Sequence, residues 1–177
     1  REYFCEPQKD ATGVNYLSYD AAYAYIERAF ALFGDIFAPY LGTTLSHLTY
    51  SDICFNGPNR RSFDLSFNRV FEERFGYDPA PIYPAFFGYI GPDTDHCKAQ
   101  LMTVRASLLE NGILRALSDF AAAQGLHLFG CISEPKIAAC SFLSGDAMLS
   151  LSRAPAALYE KAYMYGTNSV KVAAGAA

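Results

Sequence analysis

The sequence has 177 residues, of which 51% are hydrophobic and 18% are charged, and its formal net charge is -4. This length and composition fit one globular domain and exclude a disordered chain. The acidic balance argues against a nucleic-acid partner, because such proteins concentrate Lys and Arg on one surface, and no apolar run approaches the roughly 18 residues needed to cross a membrane.

The first predicted element is a helix that begins after Ser18. Serine is a favoured N-cap residue, and the apolar residues that follow recur at helical spacing as far as Phe33. A second, short helical piece is predicted between Gly34 and Gly42. The chain therefore opens with helical structure.

A strand and a helix are predicted next. Residues 43–50 are rich in β-branched and aromatic side chains, which favours a strand that ends near Asp52. The turn-forming residues 56–59 predict a loop. Ser62 is then expected to cap a helix with a stripe of phenylalanine and valine, and Gly76 is expected to end it.

The longest helical pattern occupies the middle of the chain. An aromatic connector at 83–89 precedes it, and the pattern begins at Thr94, with a kink expected at Gly112 and an end at Gly125. The apolar run that follows predicts a second strand, and Glu134 stands at its exit.

Two short helices are predicted beyond this strand, around 147–151 and after Pro155 through Lys161, and a third strand is predicted at 169–173. Strands separated by long helical connections are typical of right-handed crossovers in a parallel sheet. The expected fold class is therefore α/β, with residues 1–177 forming one segment of an incomplete (β/α)8 barrel. A small open sheet of the flavodoxin type is the alternative.

Several familiar catalytic and cofactor signatures are missing from the sequence. It contains no phosphate-binding Gly-rich loop, no dinucleotide fingerprint, no His-Glu-x-x-His and no Gly-x-Ser-x-Gly. Five cysteines without a Cys-x-x-Cys pair fit neither a disulfide framework nor a zinc site. Asp93, Asp95 and His96 coincide with a helix start, where acidic residues are expected for capping. We therefore expect no metal and no cofactor.

Acidic side chains follow the first two predicted strands. In parallel α/β folds, functional side chains stand where strands end and loops begin, and Asp52 and Glu134 hold these positions. Two carboxylates at such exits suit glycoside hydrolysis, in which Glu134 would be the general acid and Asp52 the base or nucleophile. The alternative is that Asp52 caps a turn and Glu134 is a solvated loop residue.

Other candidates surround this pair of acids. Cys131, Ser133, Arg60 and Tyr50 lie at or near the strand exits and are candidate substrate-binding residues. His47 and His127 alternate with apolar neighbours inside predicted strands, which favours core histidines. The 13 Tyr and 14 Phe residues are compatible with aromatic sugar platforms, although core packing explains most of them.

Most of the chain resembles bacterial glycoside hydrolases of the α-L-rhamnosidase type. The segments that carry the resemblance, in order, are YLSYDAAYAYIERAFALFGDIFAPYLGTTL, FNRVFEERFGYDPAPIYPAFFG, LLENGILRALSDFAAAQGLHLFG, SGDAM and YGTNSVKVAAGAA. Their most specific parts are the turn at 75–79 and the long helix leading into Gly125. The resemblance implies a (β/α)8 catalytic barrel, flanked by β-sandwich domains, with carboxylates at its strand exits.

The chain departs from the pattern of these relatives at both strand exits. The first exit has a single acid, Asp52, where relatives tend to carry two. At the second exit, Cys131 stands where a histidine is expected, and Glu134 is a single glutamate. The expected partners are therefore a carbohydrate substrate and further domains of a longer parent chain. A catalytically inactive carbohydrate-binding or scaffold segment is the main alternative.

Overall fold

The computed structural model describes residues 14–53 and 63–132, positions 146, 149 and 152, and the pair 156–157. Its helices and strands, in chain order, are α1 (Tyr19–Ala31), α2 (Gly34–Phe37), β1 (His47–Ile53), α3 (Phe67–Phe75), α4 (Thr94–Leu109), α5 (Arg115–Ala123), β2 (His127–Ile132) and β3 (Ala156–Ala157). Two 3-10 segments, Ala38–Tyr40 and Ala80–Phe86, and a π-helical turn, Glu110–Leu114, connect some of them. Within this part of the chain, no helix combines the length and the apolar character that a membrane span requires.

The strands form one parallel sheet in the order β1-β2-β3. Helices α3, α4 and α5 lie in the connection between β1 and β2, so this pair of strands is joined by a helical crossover, as the sequence predicts. The mixed helix and strand content is compatible with the expected α/β class. The predicted strand at 169–173 lies outside the described residues.

The short strand β3 differs from the sequence prediction. Ala156 and Ala157 were expected in a helix after Pro155, but they pair with Phe129 and Gly130 of β2. The free hydrogen-bonding edge of β2 gives these residues a ladder of partners that no local pattern reveals. Pairing with the edge of β2 therefore gives these two alanines an extended conformation, although alanine favours helix.

Local end signals set the bounds of α1 and α3. The Ser18 hydroxyl accepts a hydrogen bond from the Ala21 N–H at 3.4 Å, as expected for an N-cap. Gly76 ends α3 with φ of 81°, a conformation that favours glycine. The predicted start of α3 at Ser62 is wrong, because the Asp64 carboxylate accepts the Ser66 N–H at 2.9 Å and holds a turn immediately before the helix.

Helices α4 and α5 meet at Gly112, where the expected kink is present. The backbone there has φ of -86° and ψ of -107°, outside the helical region. A Cβ atom at this position would lie 2.3 Å from the carbonyl oxygen of Tyr16, and the Ile113 N–H donates to the same oxygen at 2.9 Å. The kink therefore lets the segment before α1 reach the helix backbone.

One core joins the helices to the strands. Ala22 and Ile26 of α1 and Phe120 of α5 belong to the same buried cluster as Tyr50 and Leu128 of the sheet. Phe120 also packs edge-on against Phe30 of α1, with ring centroids 4.7 Å apart. Helices α1 and α5 therefore cover one face of the β1–β2 pair.

The opposite face of the two strands carries different residues. His47, Thr49 and His127 are exposed and Phe129 is half-buried in the described part of the chain. Because side chains alternate between the two faces of a strand, this face is the one that α1 and α5 do not cover. The two predicted core histidines therefore lie outside the core that the structure describes.

Candidate functional site

The carboxyl ends of β1 and β2 lie side by side. Residues of the two strands pair in regular order from His47 with His127 to Tyr50 with Gly130. Parallel neighbouring strands lie about 4.8 Å apart and end at the same edge of a sheet. The predicted catalytic exits of the two strands are therefore brought together.

The pairing becomes irregular near this edge. The next matched pair after Tyr50 and Gly130 is Ile53 with Ile132, so β1 has one residue more than β2 in the interval. The extra residue makes a β-bulge of the segment that contains Ser51 and Asp52. Bulges of this kind are frequent beside active sites, where they change the direction of side chains.

The bulge also explains the burial pattern at the end of β1. Tyr50 and Ile53 are three positions apart, yet they are both buried, with exposed fractions of 6% and 7%. Regular alternation would place residues with odd spacing on opposite faces. The added residue brings both side chains into the core, and Asp52 lies between them in the bulged backbone.

The Tyr50 ring lies against the backbone of β2. A Cβ atom at residue 130 would lie only 2.3 Å from Cε1 of this ring, so glycine is the residue that leaves room for it. Tyr50 and Gly130, the last regular pair of the ladder, are therefore in direct contact. The structure thus gives Tyr50 a packing role, while its predicted contact with substrate stays a prediction.

The remaining predicted site residues divide into two groups. Asp52 and Cys131 occupy the ends of the adjacent strands β1 and β2. Glu134, Ser133 and Arg60 lie outside the described residues, and their roles stay predictions. Glu134 follows Ile132, the last residue of β2, by two positions in the sequence.

An aromatic cluster occupies the connection that follows β1. Phe63 and Phe67 pack around Tyr83, with ring centroids 6.3 and 6.0 Å from the tyrosine ring. Burial raises the pKa of Tyr83 above its usual value, and its hydroxyl donates a hydrogen bond to the Asn68 side chain. The tyrosine therefore stays neutral over the physiological range, and its hydrogen bond joins the 3-10 segment Ala80–Phe86 to α3.

The structure also contains features that the sequence interpretation missed. The bulge had one local sign, the spacing of Tyr50 and Ile53, which breaks the alternation of a regular strand. No feature of the sequence indicated that His47 is aligned with His127, because register depends on which strands pair. Within the described ranges, no group of three or more His, Cys, Asp and Glu side chains is arranged to hold a metal ion.

Comparisons with known proteins give a structural likeness but no family. No protein-family model matches the chain, and no curated protein matches it. The chain is similar to the structure of a rhamnosidase from Novosphingobium sp. PP1Y, with a TM-score of 0.64 and 20% sequence identity. The match covers 80% of this chain and 13% of the rhamnosidase. At this level of identity the likeness concerns the fold alone.

Proposed function

We propose that the chain is part of a glycoside hydrolase-like β/α domain that acts on a carbohydrate, with Glu134 as general acid and Asp52 as base or nucleophile. The observation that carries this proposal is the parallel pairing of β1 with β2. It brings the end of the strand that holds Asp52 beside the end of the strand that precedes Glu134. Two carboxylates flanking one bond are what glycoside hydrolysis requires.

The bulge in β1 supports a functional role for Asp52. A bulge disrupts the hydrogen-bonding ladder, and proteins keep such irregularities where a side chain must be redirected. Here the irregularity falls on the two residues before Ile53, at the end of the strand where parallel α/β folds place their chemistry. A turn-capping role for Asp52 would not need this insertion.

The likeness to a rhamnosidase adds support of a different kind. That protein is named as a rhamnosidase, and the segment it shares with this chain amounts to 13% of its length. A complete (β/α)8 barrel needs about 250 residues. In the proposed function, the other strands of the barrel come from further parts of a longer chain, and the segment described above supplies two neighbouring strands.

The proposed chemistry assigns different tasks to the two acids. One carboxyl group must keep its proton to protonate the leaving oxygen, and the other must be ionised to act as nucleophile or to activate water. Cys131, Ser133 and Arg60 would contact sugar hydroxyl groups around them. Tyr50, whose side chain is buried in the core, would support the end of β1 by its packing on Gly130.

The proposal is tested by measuring hydrolysis of aryl glycosides with the polypeptide that contains this segment. Glu134→Gln and Asp52→Asn should each lower kcat by about 10²–10⁴-fold, because each removes a proton-transferring or nucleophilic group. The matched controls are Glu72→Gln and Asp35→Asn, which replace exposed acids on α3 and α2. Both controls should retain the wild-type rate.

Two results would decide against the enzymatic assignment. Unchanged rates in both Glu134→Gln and Asp52→Asn would show that neither carboxylate takes part in the reaction. Carbohydrate binding by a wild-type protein that hydrolyses none of the glycosides would favour the alternative of a non-catalytic binding segment. In that case Cys131, which stands where the resemblance leads us to expect a histidine, would be the first residue to mutate.

A further inference from the structure

The amino ends of β1 and β2 carry a pair of histidines. His47 and His127 are matched residues in the parallel ladder and are exposed in the described part of the chain. Their imidazole rings are neighbours, with centroids 5.5 Å apart and planes inclined by 46°. The pair lies at the end of the strands opposite to Asp52 and Cys131, so it does not belong to the carboxylate site.

The spacing of the two rings fits a shared metal ion. A metal bound to an imidazole nitrogen at about 2.1 Å lies about 3.2 Å from the ring centroid. For nitrogen–metal–nitrogen angles of 90–120°, two such rings have centroids about 4.5–5.5 Å apart. We propose that His47 and His127 bind one borderline divalent transition-metal ion of the Ni²⁺, Cu²⁺ and Zn²⁺ class.

Neighbouring groups hold the pair in place. The Ser46 hydroxyl lies 2.8 Å from Nδ1 of His47, and when that nitrogen carries the proton it donates to Ser46 Oγ and leaves the Nε2 lone pair for a metal. The His127 N–H donates to the Ser46 carbonyl oxygen at 2.8 Å, which fixes the two strand starts relative to each other. Phe129 packs edge-on against the His47 ring at 6.3 Å between centroids.

The composition of the pair sets the class of ion. Neutral imidazole is a good ligand for zinc, copper and nickel, whereas magnesium and calcium prefer oxygen ligands. In the part of the chain that the structure describes, the pair is not joined by a third His, Cys, Asp or Glu ligand. Water would complete the coordination, and the bound ion would link β1 to β2 where both strands begin.

Calorimetric titration of the chain with Ni²⁺ tests this proposal. Nickel is the preferred probe because thiolate ligands favour zinc and Cu(I), and the chain has five cysteines. The wild-type chain should bind one equivalent. His47→Gln and His127→Gln should each weaken binding by at least about tenfold, and Ser46→Ala by about tenfold, because groups that orient a ligand are worth this much in affinity.

The third histidine of the chain provides the matched control. His96 is exposed on α4, and His96→Gln should bind Ni²⁺ as tightly as the wild-type chain does. Ni²⁺ should also raise the thermal midpoint of the wild-type and His96→Gln chains and leave that of His47→Gln and His127→Gln unchanged, because a ligand of the folded state stabilises it. The midpoints without metal show whether each variant folds.

Two outcomes would overturn the site. One is wild-type affinity in folded His47→Gln and His127→Gln, which would place the metal elsewhere. The other is the absence of Ni²⁺ binding to the folded wild-type chain at millimolar metal. Neither outcome would bear on the carboxylates at the opposite strand ends, so this proposal and the proposed hydrolase function fail or succeed independently.

Discussion

The helical layer and the exposed face of the β1–β2 pair use their residues in different ways. Leu101, Leu109 and Leu114, on α4 and in the turn that follows it, are fully buried, whereas His47 and His127 on the sheet face are exposed. In parallel α/β folds, packed faces supply stability and the carboxyl ends of the strands supply chemistry. The contrast implies that substitutions in the two regions should have separable effects, on the free energy of unfolding and on ligand binding or catalysis.

The largest effect on stability is expected from Phe71→Ala in the helical layer. The Phe71 side chain is fully buried, and its ring centroid lies 4.8 Å from that of Phe75 and 5.1 Å from that of Tyr77. Its removal should lower the free energy of unfolding by about 3–5 kcal/mol because it leaves a large cavity. Denaturant unfolding measures this change.

Phe33→Ala is the control for this prediction. The Phe33 side chain is 53% exposed, so its loss removes less buried surface and should cost below about 1 kcal/mol. Equal losses in the two variants would contradict the view that α3 packs as an interior element. Surface contacts would then contribute as much to the free energy of unfolding as the buried contacts of α3 do.

A smaller loss, about 3 kcal/mol, is expected for Gly112→Ala. The added methyl group would meet the backbone of Tyr16 and Leu17, which cannot rotate away as a side chain can. Gly88→Ala is the control, because a Cβ atom there has no neighbour within 4 Å. A calorimetric melt in which both variants unfold like the wild type would disprove the close approach at the kink.

Gly130→Ala tests the packed face of the strand pair, because it places a methyl group there. The new methyl group would overlap the Tyr50 ring, which must turn aside at an expected cost of about 1–2 kcal/mol. In a chain that also carries Tyr50→Ala, the added cost of Gly130→Ala should largely disappear. Strict additivity of the two substitutions in denaturant unfolding would show that the ring does not rest on Gly130.

The helices were largely predictable from the sequence because their signals are local. Ser18 caps α1 with its own hydroxyl, and Gly76 and Gly125 both adopt positive φ beyond a helix end. Gly112 marked the kink, since a missing side chain is visible in the sequence. The start of α3 was misplaced, because the Asp64 carboxylate makes a turn that competes with helix. The helix expected after Pro155 was wrong at Ala156 and Ala157, which pair with β2 instead.

The sheet was less predictable because its details depend on partners that are distant in the chain. The parallel pairing of β1 and β2 followed from the long connection, but the bulge beside Asp52 follows from the register between the strands. The same register aligns His47 with His127. The strand Ala156–Ala157 exists because β2 offers a free edge, which local composition does not reveal.

The most direct test of the central claim is the distance between the carboxyl carbons of Asp52 and Glu134 in a crystal structure of the polypeptide that contains this segment. We predict a separation between about 5 and 9.5 Å, the range over which two carboxylates can act on one glycosidic bond. The lower end would indicate a retaining reaction and the upper end an inverting one. A separation well beyond this range would contradict the assignment of the two acids to one site.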